Sequence, residues 1–280
     1  MATTTRDLAA KHDIDGEQVQ RRLALAIDAA RSCAAGTLEL FNAGGVTVDL
    51  KSDATPVTEA DRNCELQLRE RILAAFPDDA VVGEEFGEHE GTSGVRWILD
   101  PIDGTKSFIR GVPLYGCLVA AEWHVGDRWE PLVGVIEMPA LNERVWAATG
   151  RGAWWQRADS GPRRARVSSC ESLSAACVCT TSLGYFIDAG IGAAYHTLTE
   201  RAQLVRGWSD CYASLLCATG RVDAVVEPEI KVWDVAPMLP IMREAGGVYC
   251  SFAGTEDIRE PSGVLCAPGL RDELLALVNA

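Results

Sequence analysis

Apolar residues are spaced in two different ways along the chain. From Gln18 to Phe41 they recur every three or four positions, which predicts one face of a long helix. A second helix is predicted after Thr58, a residue type that caps helix N-termini, with Cys64 and Leu68 on its apolar face. The first part of the chain therefore begins with two helices.

Beyond Pro77 the apolar runs become short and rich in β-branched and aromatic residues. Such runs, separated by turn residues, predict an antiparallel meander of strands. The glycine-rich, charged segment FGEHEGTSG interrupts the region and is expected to be mobile. The predicted meander comprises VRWILD, PLYGCLVAAEWHV, EPLVGVIEMP and RVWAATGRGAWW.

The pattern changes near residue 165, where short strands begin to alternate with helices. Strands are predicted in ACVCTTS, VDAVVEP, GGVYCSF and GVLCAP. Helices are predicted near residues 188–203, 210–220, 233–245 and 269–279. We therefore predict an α/β protein with an α+β half at residues 1–165 and an α/β half at residues 166–280.

The composition excludes several classes of protein. A formal net charge of −14 argues against general nucleic-acid binding, which requires a basic surface. No run approaches the roughly 18 to 20 apolar residues of a membrane span, so no membrane association is expected. The N-terminal residues lack the apolar segment of a secretory signal, which favours a cytoplasmic location. The ten cysteines contain no CxxC pair, and most of them are expected to be buried small side chains.

The stretch WILDPIDGTKSFIRG contains the most informative chemistry. Asp100 ends a predicted buried strand, and Pro101 directs the chain outward so that Asp103 can point back. Gly104 permits a close backbone approach, and Thr105 can cap the helix that follows. Adjacent carboxylates repel each other unless they share a proton or a cation. By itself the stretch fits equally well a Mg²⁺ and phosphate site or an Asx turn with a helix cap.

Further acids lie in apolar surroundings. Glu84 and Glu85 end the run VVGEEF, and Asp234 lies in VWDVAP. Isolated buried acids are commonly caps or members of salt bridges. Several of them together favour a shared cation.

Four segments resemble the inositol monophosphatase-like family of metal-dependent phosphatases. They are DATPVTEADRNCE, VVGEEFG, WILDPIDGTKSFIRGVPLYG and VWDVAPMLPIMREAGG, in this order. The resemblance implies a layered αβαβα sandwich, usually a homodimer, that hydrolyses small phosphate esters with two to three Mg²⁺ ions. It implies no covalent phosphoenzyme.

The resemblance also implies the metal ligands. Glu84, Asp100 and the carbonyl of Ile102 would hold the first ion. Asp100, Asp103 and Asp234 would hold the second, and Glu84 would help to hold a weaker third.

The catalytic roles follow from the same resemblance. Thr105, hydrogen-bonded to Asp61, would orient the water that attacks phosphorus, and Glu84 would assist through its metal ions. The N–H groups of Gly104 and Thr105 would bind the phosphate oxygens. Lys51 is expected either to contact the metal-bearing loop or to be an ordinary surface lysine.

The segments GWSDCYASLLCATGRVDAVVEPEIKVWD and TKSFIRGVPLYG resemble the branch of the family that hydrolyses histidinol phosphate. Asp210 and Glu227 would then recognise the ammonium and imidazole of the substrate, and Asp103 is placed with them among the substrate-binding residues. Asp210 fits the N-cap of a helix equally well. The alternatives are the same chemistry on inositol 1-phosphate or another sugar or nucleotide phosphate, or a regulatory binding protein of this fold.

Overall fold

The secondary structure comprises nine α-helices and fifteen β-strands within the residues that the computed structural model describes, which are 16–43, 48–50 and 56–280. Lys51 lies outside these residues. The helices are α1 (Gly16–Ala43), α2 (Glu59–Ala75), α3 (Thr105–Phe108), α4 (Leu183–Asp188), α5 (Gly192–Arg201), α6 (Asp210–Ala218), α7 (Val232–Val235), α8 (Met238–Ala245) and α9 (Arg271–Val278).

The strands form a short two-stranded ribbon and two larger sheets. The ribbon and the first large sheet contain β1 (Val48–Leu50), β2 (Pro56–Thr58), β3 (Ala80–Gly83), β4 (Gly87–His89), β5 (Val95–Asp103), β6 (Gly116–Val125), β7 (Arg128–Met138), β8 (Glu143–Ala148), β9 (Gly152–Arg157) and β10 (Arg163–Arg164). The second large sheet contains β11 (Cys177–Cys179), β12 (Leu204–Arg206), β13 (Ala224–Glu227), β14 (Val248–Cys250) and β15 (Gly263–Cys266).

The eight-stranded sheet has the order β10-β9-β8-β7-β6-β5-β3-β4. Strands β5 to β9 pair antiparallel in sequence order, which confirms the predicted meander, whereas β3 and β5 are parallel. The five-stranded sheet has the order β12-β11-β13-β15-β14 and is mixed. The parallel pair β3 and β5 is important because its carboxyl ends carry the acids described below.

Helices cover both faces of each large sheet, which explains why the apolar runs of the strands are nearly continuous. Trp97 and Leu99 of β5 pack with α1 and α2, whereas the intervening Ile98 packs with α6 and α8. In the second sheet, Val225 belongs to the same cluster as Ile98, and Val226 packs with α4, α5 and α9. The resulting layers are helix, sheet, helix, sheet and helix, so the predicted αβαβα sandwich is confirmed.

The two sheets lie on either side of the predicted boundary at residue 165. The first sheet ends at Arg164 and the second begins at Cys177. One hydrophobic cluster nevertheless contains side chains from both halves, including Ile136 and Leu265. The division into residues 1–165 and 166–280 as separate domains stays a prediction.

One predicted helix begins late and another is interrupted. The helix predicted near 188–203 corresponds to α5, and α4, which ends at Asp188, was not predicted; Gly190, where φ is +77°, separates the two. The helix predicted near 233–245 is replaced by α7 and α8, with Pro237 between them. Both breaks occur at residues that disfavour a continuous helix, glycine through its backbone freedom and proline through its missing N–H group.

Two strands differ from the sequence prediction. Strand β4 lies in FGEHEGTSG, where a mobile segment was expected, and Val81 pairs with His89 across β3 and β4. Strand β12 was not predicted at all. Both are three-residue edge strands without a fully buried residue, so neither has the apolar pattern that marks a strand in the sequence.

All ten cysteines are free thiols, and eight of them are buried, as the sequence predicts. Within the described residues no helix combines the length and apolar character needed to cross a bilayer.

Candidate active site

The stretch DPIDGT forms an irregular end of β5. Asp100 pairs with Leu118 and Asp103 pairs with Gly116, so the register between β5 and β6 shifts between the two aspartates. Gly104 follows in the left-handed conformation with φ +84°, and α3 begins at the next residue. The shift and the left-handed turn bring both carboxyl groups to the carboxyl end of the sheet.

Asp234 completes a group of three carboxylates. It lies on α7, which packs against β5, and one of its oxygens accepts the N–H of Lys231 at 2.8 Å. One carboxylate oxygen from each of Asp100, Asp103 and Asp234 lies within 4.8 Å of the others. Asp103 is further held by the N–H of Cys211 at the start of α6, at 2.5 Å from Oδ2. Residues from both halves of the chain therefore meet here.

The electrostatics of this group favour a cation. Burial, together with the charges of Glu84, Asp103 and Asp234, raises the pKa of Asp100 well above its ordinary value. Burial also raises the pKa of Asp234 to about 7. Asp100 Oδ1 is buried and has no hydrogen-bond partner. Carboxylate oxygens that repel one another, one of which lacks any donor, fit a hard divalent cation such as Mg²⁺.

Glu84 lies beside this group because β3 and β5 are parallel. Its N–H donates to the carbonyl of Leu99 at 3.2 Å, so the pairing of the two strands continues up to the acids. Glu84 is not one of the three carboxylates within 4.8 Å of each other. Its charge nevertheless contributes to the raised pKa values of Asp61, Asp100 and Asp234.

Asp61 and Thr105 are arranged differently from the expectation. Asp61 Oδ2 accepts hydrogen bonds from the N–H and Oγ1 of Thr58, at 2.7 and 2.5 Å, as part of the box that caps α2. Thr105 Oγ1 donates to the carbonyl of Ile102 at 3.0 Å and not to Asp61, so this part of the prediction is corrected. Asp61 Oδ1 stays buried without a hydrogen-bond partner.

The helix after DPIDGT is capped by Gly104, and Thr105 is its first residue, which corrects the predicted cap. The first hydrogen bond of the turn runs from the N–H of Ser107 to the carbonyl of Gly104 at 2.8 Å. The N–H groups of Gly104 and Thr105 thus precede the bonded turn, as the predicted phosphate-binding role requires.

A pocket extends from the carboxylate group to two further acids. Asp103 and Asp234 line it together with Asp210 and Glu227. Burial raises the pKa of Asp210 and raises that of Glu227 to about 8. Thr181 Oγ1 donates to Glu227 at 3.0 Å.

Asp210 does not cap α6. The N-cap is Ser209, whose hydroxyl donates to Asp210 Oδ2 at 2.8 Å. Asp210 itself has φ +55°, a left-handed conformation that is costly for residues other than glycine, asparagine and aspartate. The alternative of an N-cap is therefore wrong, and the strained backbone places the carboxylate in the pocket.

The match to a family model settles the relationship. The model described as "Inositol monophosphatase family" matches residues 18–280. The chain belongs to the inositol monophosphatase family. It is accordingly a phosphomonoester hydrolase, as the sequence resemblance implies.

Particular relatives of this phosphatase cover most of its length. A histidinol-phosphatase from Chlorobaculum parvum is 42% identical over 245 residues, which are 88% of this chain and 91% of the relative. One from Mycobacterium tuberculosis is 40% identical over 86% of this chain and 91% of the relative. The Thermotoga maritima IMPase, whose structure has been solved, is 30% identical in sequence to this chain. The two structures align with a TM-score of 0.80 over 92% of this chain and 97% of the IMPase chain.

Sequence reasoning missed some pocket residues of this family member. Tyr185 on α4 lines the pocket, and its hydroxyl accepts a hydrogen bond from Lys106 Nζ at 2.7 Å. Thr181 and Cys211 contact acids of the site. The contact between Lys106 and Tyr185 joins residues 79 positions apart, and no local pattern predicts such a pair.

The phosphatase without metal is expected to lose stability as the pH rises from about 4 to 7. The pKa of Asp234 is about 7 in the folded chain against an ordinary value of 3.8, so the folded state binds more protons in this window. Thermal denaturation in EDTA should give a lower melting temperature at pH 8 than at pH 6. Mg²⁺ should reverse this trend because it binds the ionised carboxylates. A melting temperature in EDTA that is highest at pH 8 would contradict the assignment.

Proposed function

We propose that the chain is a Mg²⁺-dependent histidinol-phosphate phosphatase that releases L-histidinol and phosphate in histidine biosynthesis. One observation carries the choice of substrate: two further carboxylates line the pocket beside those suited to a cation. Asp103 and Asp234 belong to the group of three carboxylates within 4.8 Å of one another, whereas Asp210 and Glu227 line the same pocket and are not in that group. Acids that face the alcohol half of the substrate would favour a cationic alcohol such as histidinol over a neutral one.

The acids at the end of β5 would hold the metal ions. Asp100, Asp103 and Asp234 would supply the oxygen ligands, and Glu84 and the carbonyl of Ile102 would complete them. When bound, Mg²⁺ would neutralise the phosphate, lower the pKa of the attacking water and stabilise the leaving alkoxide. The backbone N–H groups of Lys231 and Cys211 hold the carboxylates of Asp234 and Asp103 in place.

The phosphate and the attacking water would be positioned by the turn that starts α3. The N–H groups of Gly104 and Thr105 would donate to the phosphate oxygens. Asp61 Oδ1 has no hydrogen-bond partner, so it can accept a hydrogen bond from the attacking water.

The leaving alcohol would lie against the second acidic group. Glu227 is buried and Asp210 is partly buried, and burial raises the pKa of both carboxyl groups, so both resist ionisation. An ammonium or imidazolium beside them favours the charged carboxylates and forms charge-assisted hydrogen bonds. A neutral polyol gives no such gain, so the pocket would discriminate by charge.

The test is phosphate release from L-histidinol phosphate, inositol 1-phosphate, fructose 1,6-bisphosphate and adenosine 3′,5′-bisphosphate, each with Mg²⁺ and with EDTA. We expect kcat/KM to be highest for histidinol phosphate and activity to disappear in EDTA. A preference for another ester would overturn the substrate and keep the metal chemistry. Activity that persists in EDTA would overturn the metal chemistry itself.

The nearest alternative is the same hydrolysis of inositol 1-phosphate. It is supported by the overall similarity to the Thermotoga maritima IMPase, whose fold this chain shares. The substrate panel separates the two, because inositol 1-phosphate carries no cation. We also propose that the protein is a cytoplasmic homodimer. Light scattering coupled to size-exclusion chromatography tests the oligomeric state.

A further inference from the structure

Glu65 is an acid in the core of the protein that no step above uses. It lies on α2, one turn after Asp61, and it is fully buried. Its Oε2 accepts the N–H of Glu85 at 2.7 Å, and its Oε1 accepts the N–H of Phe86 at 3.2 Å. Both donors belong to the turn that directly follows Glu84.

Arg69 contacts both Glu65 and the same turn. Its Nε donates to Glu65 Oε1 at 2.7 Å, and its guanidinium also donates to the carbonyl of Gly87. The side chain of Glu65 is completely buried and that of Arg69 is 12% exposed, so the pair is shielded from water. The backbone from residue 85 to residue 87 is thus attached to α2 by three hydrogen bonds.

Gly83 leaves the space that this arrangement needs. A methyl group on Gly83 would overlap the Glu65 carboxyl group. The backbone of Gly83 is not left-handed, so alanine is allowed there apart from this overlap. The last residue of β3 and the carboxyl group below it therefore fit only with glycine at this position.

We propose that Glu65 is a positioning residue for metal binding, which fixes the turn that carries Glu84 so that its carboxylate faces Asp100. This inference rests on the proposed role of Glu84 as a metal ligand. Glu84 lies between two attachments: its own N–H is bonded to Leu99 on β5, and the next two N–H groups are bonded to Glu65. Helix α2 would thus set the positions of both Asp61 and Glu84.

A positioning role for Glu65 differs from a purely structural role because its loss would change metal binding and not the fold. Loss of the Glu65 contacts leaves the layers of the fold in place, because α2 packs on the sheet through Cys64, Leu68 and Ile72. The turn after Glu84 would instead become free to move. The affinity for Mg²⁺ is then expected to fall, typically by about 10- to 100-fold for residues that orient metal ligands.

The test compares Glu65→Gln with Glu70→Gln, an exposed acid on the same helix. Glutamine keeps the shape of the side chain but offers one oxygen where glutamate offers two. Isothermal titration of the metal-free proteins with Mg²⁺ should give a dissociation constant about 10-fold higher for Glu65→Gln. Glu70→Gln should match the wild type. Hydrogen exchange should show faster exchange of the Glu85 or Phe86 amide in Glu65→Gln, with unchanged exchange at Leu68.

Gly83→Ala gives a second route to the same result. It displaces the Glu65 carboxyl group without removing it, so it should weaken Mg²⁺ binding by itself. It should add little in a protein that already carries Glu65→Gln. The Gly83→Ala single variant decides the matter if Glu65→Gln fails to fold.

The inference is overturned if Glu65→Gln and Gly83→Ala bind Mg²⁺ as tightly as the wild type. It is also overturned if the two changes have fully additive effects. The failure of the proposed function looks different: the wild type would bind Mg²⁺ and respond to Glu65→Gln, yet would not prefer histidinol phosphate. The titration with Mg²⁺ alone separates these outcomes because it needs no substrate.

Discussion

Replacing Asp100 with asparagine is expected to reduce kcat/KM by at least about 10³-fold, or about 4 kcal/mol of transition-state stabilisation. Asp100 supplies the buried oxygen without a hydrogen-bond partner, and its neighbours Glu84, Asp103 and Asp234 all raise its pKa. An amide is a poor substitute for a carboxylate as a Mg²⁺ ligand. Initial rates at saturating Mg²⁺ measure this loss.

The same change should stabilise the protein in the absence of metal. A neutral side chain removes the repulsion among buried carboxylates, and its amide can donate to them. The melting temperature of Asp100→Asn in EDTA at pH 8 should therefore exceed that of the wild type, while added Mg²⁺ should raise it little.

Asp223→Asn is the matched control for Asp100→Asn. Asp223 is also a partly buried acid, but its oxygens accept hydrogen bonds from Ser168 Oγ and from the N–H of Cys177, at 2.6 and 2.7 Å. Its replacement should lower the melting temperature and leave the Mg²⁺ dependence of hydrolysis unchanged. If Asp100→Asn behaved like this control, Asp100 would be a structural residue and not a metal ligand.

Replacing Asp210 with asparagine is expected to lower kcat/KM for histidinol phosphate by roughly 10- to 100-fold, the range of a lost charge-assisted hydrogen bond. Hydrolysis of inositol 1-phosphate should change by less than about 3-fold, because a neutral alcohol does not use the charge. Asparagine is the right substitution because Asp210 has φ +55°. Asparagine tolerates this conformation, whereas alanine would add roughly 1 to 2 kcal/mol of backbone strain.

Glu229→Gln is the control for Asp210→Asn. Glu229 lines the same pocket but is exposed and lies 3.9 Å from Lys231 Nζ. Glu229→Gln should leave kcat/KM unchanged for both substrates. Equal losses on both substrates with Asp210→Asn would show that Asp210 acts through the backbone, since the N–H of Cys211 beside it holds Asp103. That outcome would remove the charge argument for histidinol.

The sequence and the structure agree where the signal is local. The helix after Thr58, the strand in VRWILD and the break at Gly104 were all readable, because capping, apolar runs and glycine act over a few residues. Strand β4 was missed because it is polar and exposed, and it forms only by pairing with β3. Helix α4 was missed because its six residues are too few for an apolar repeat to mark a helix.

By itself, the sequence determined the apolar strands, the helices and the types of acid at their ends, because these depend on neighbouring residues. The family resemblance added which of those acids would act together. Only the tertiary structure decided that Thr105 bonds Ile102 and not Asp61, that Asp210 is left-handed and not a cap, and that Glu65 holds the turn after Glu84. These contacts depend on how separate elements pack, and hydrogen bonds across such packing leave no periodic pattern in the chain.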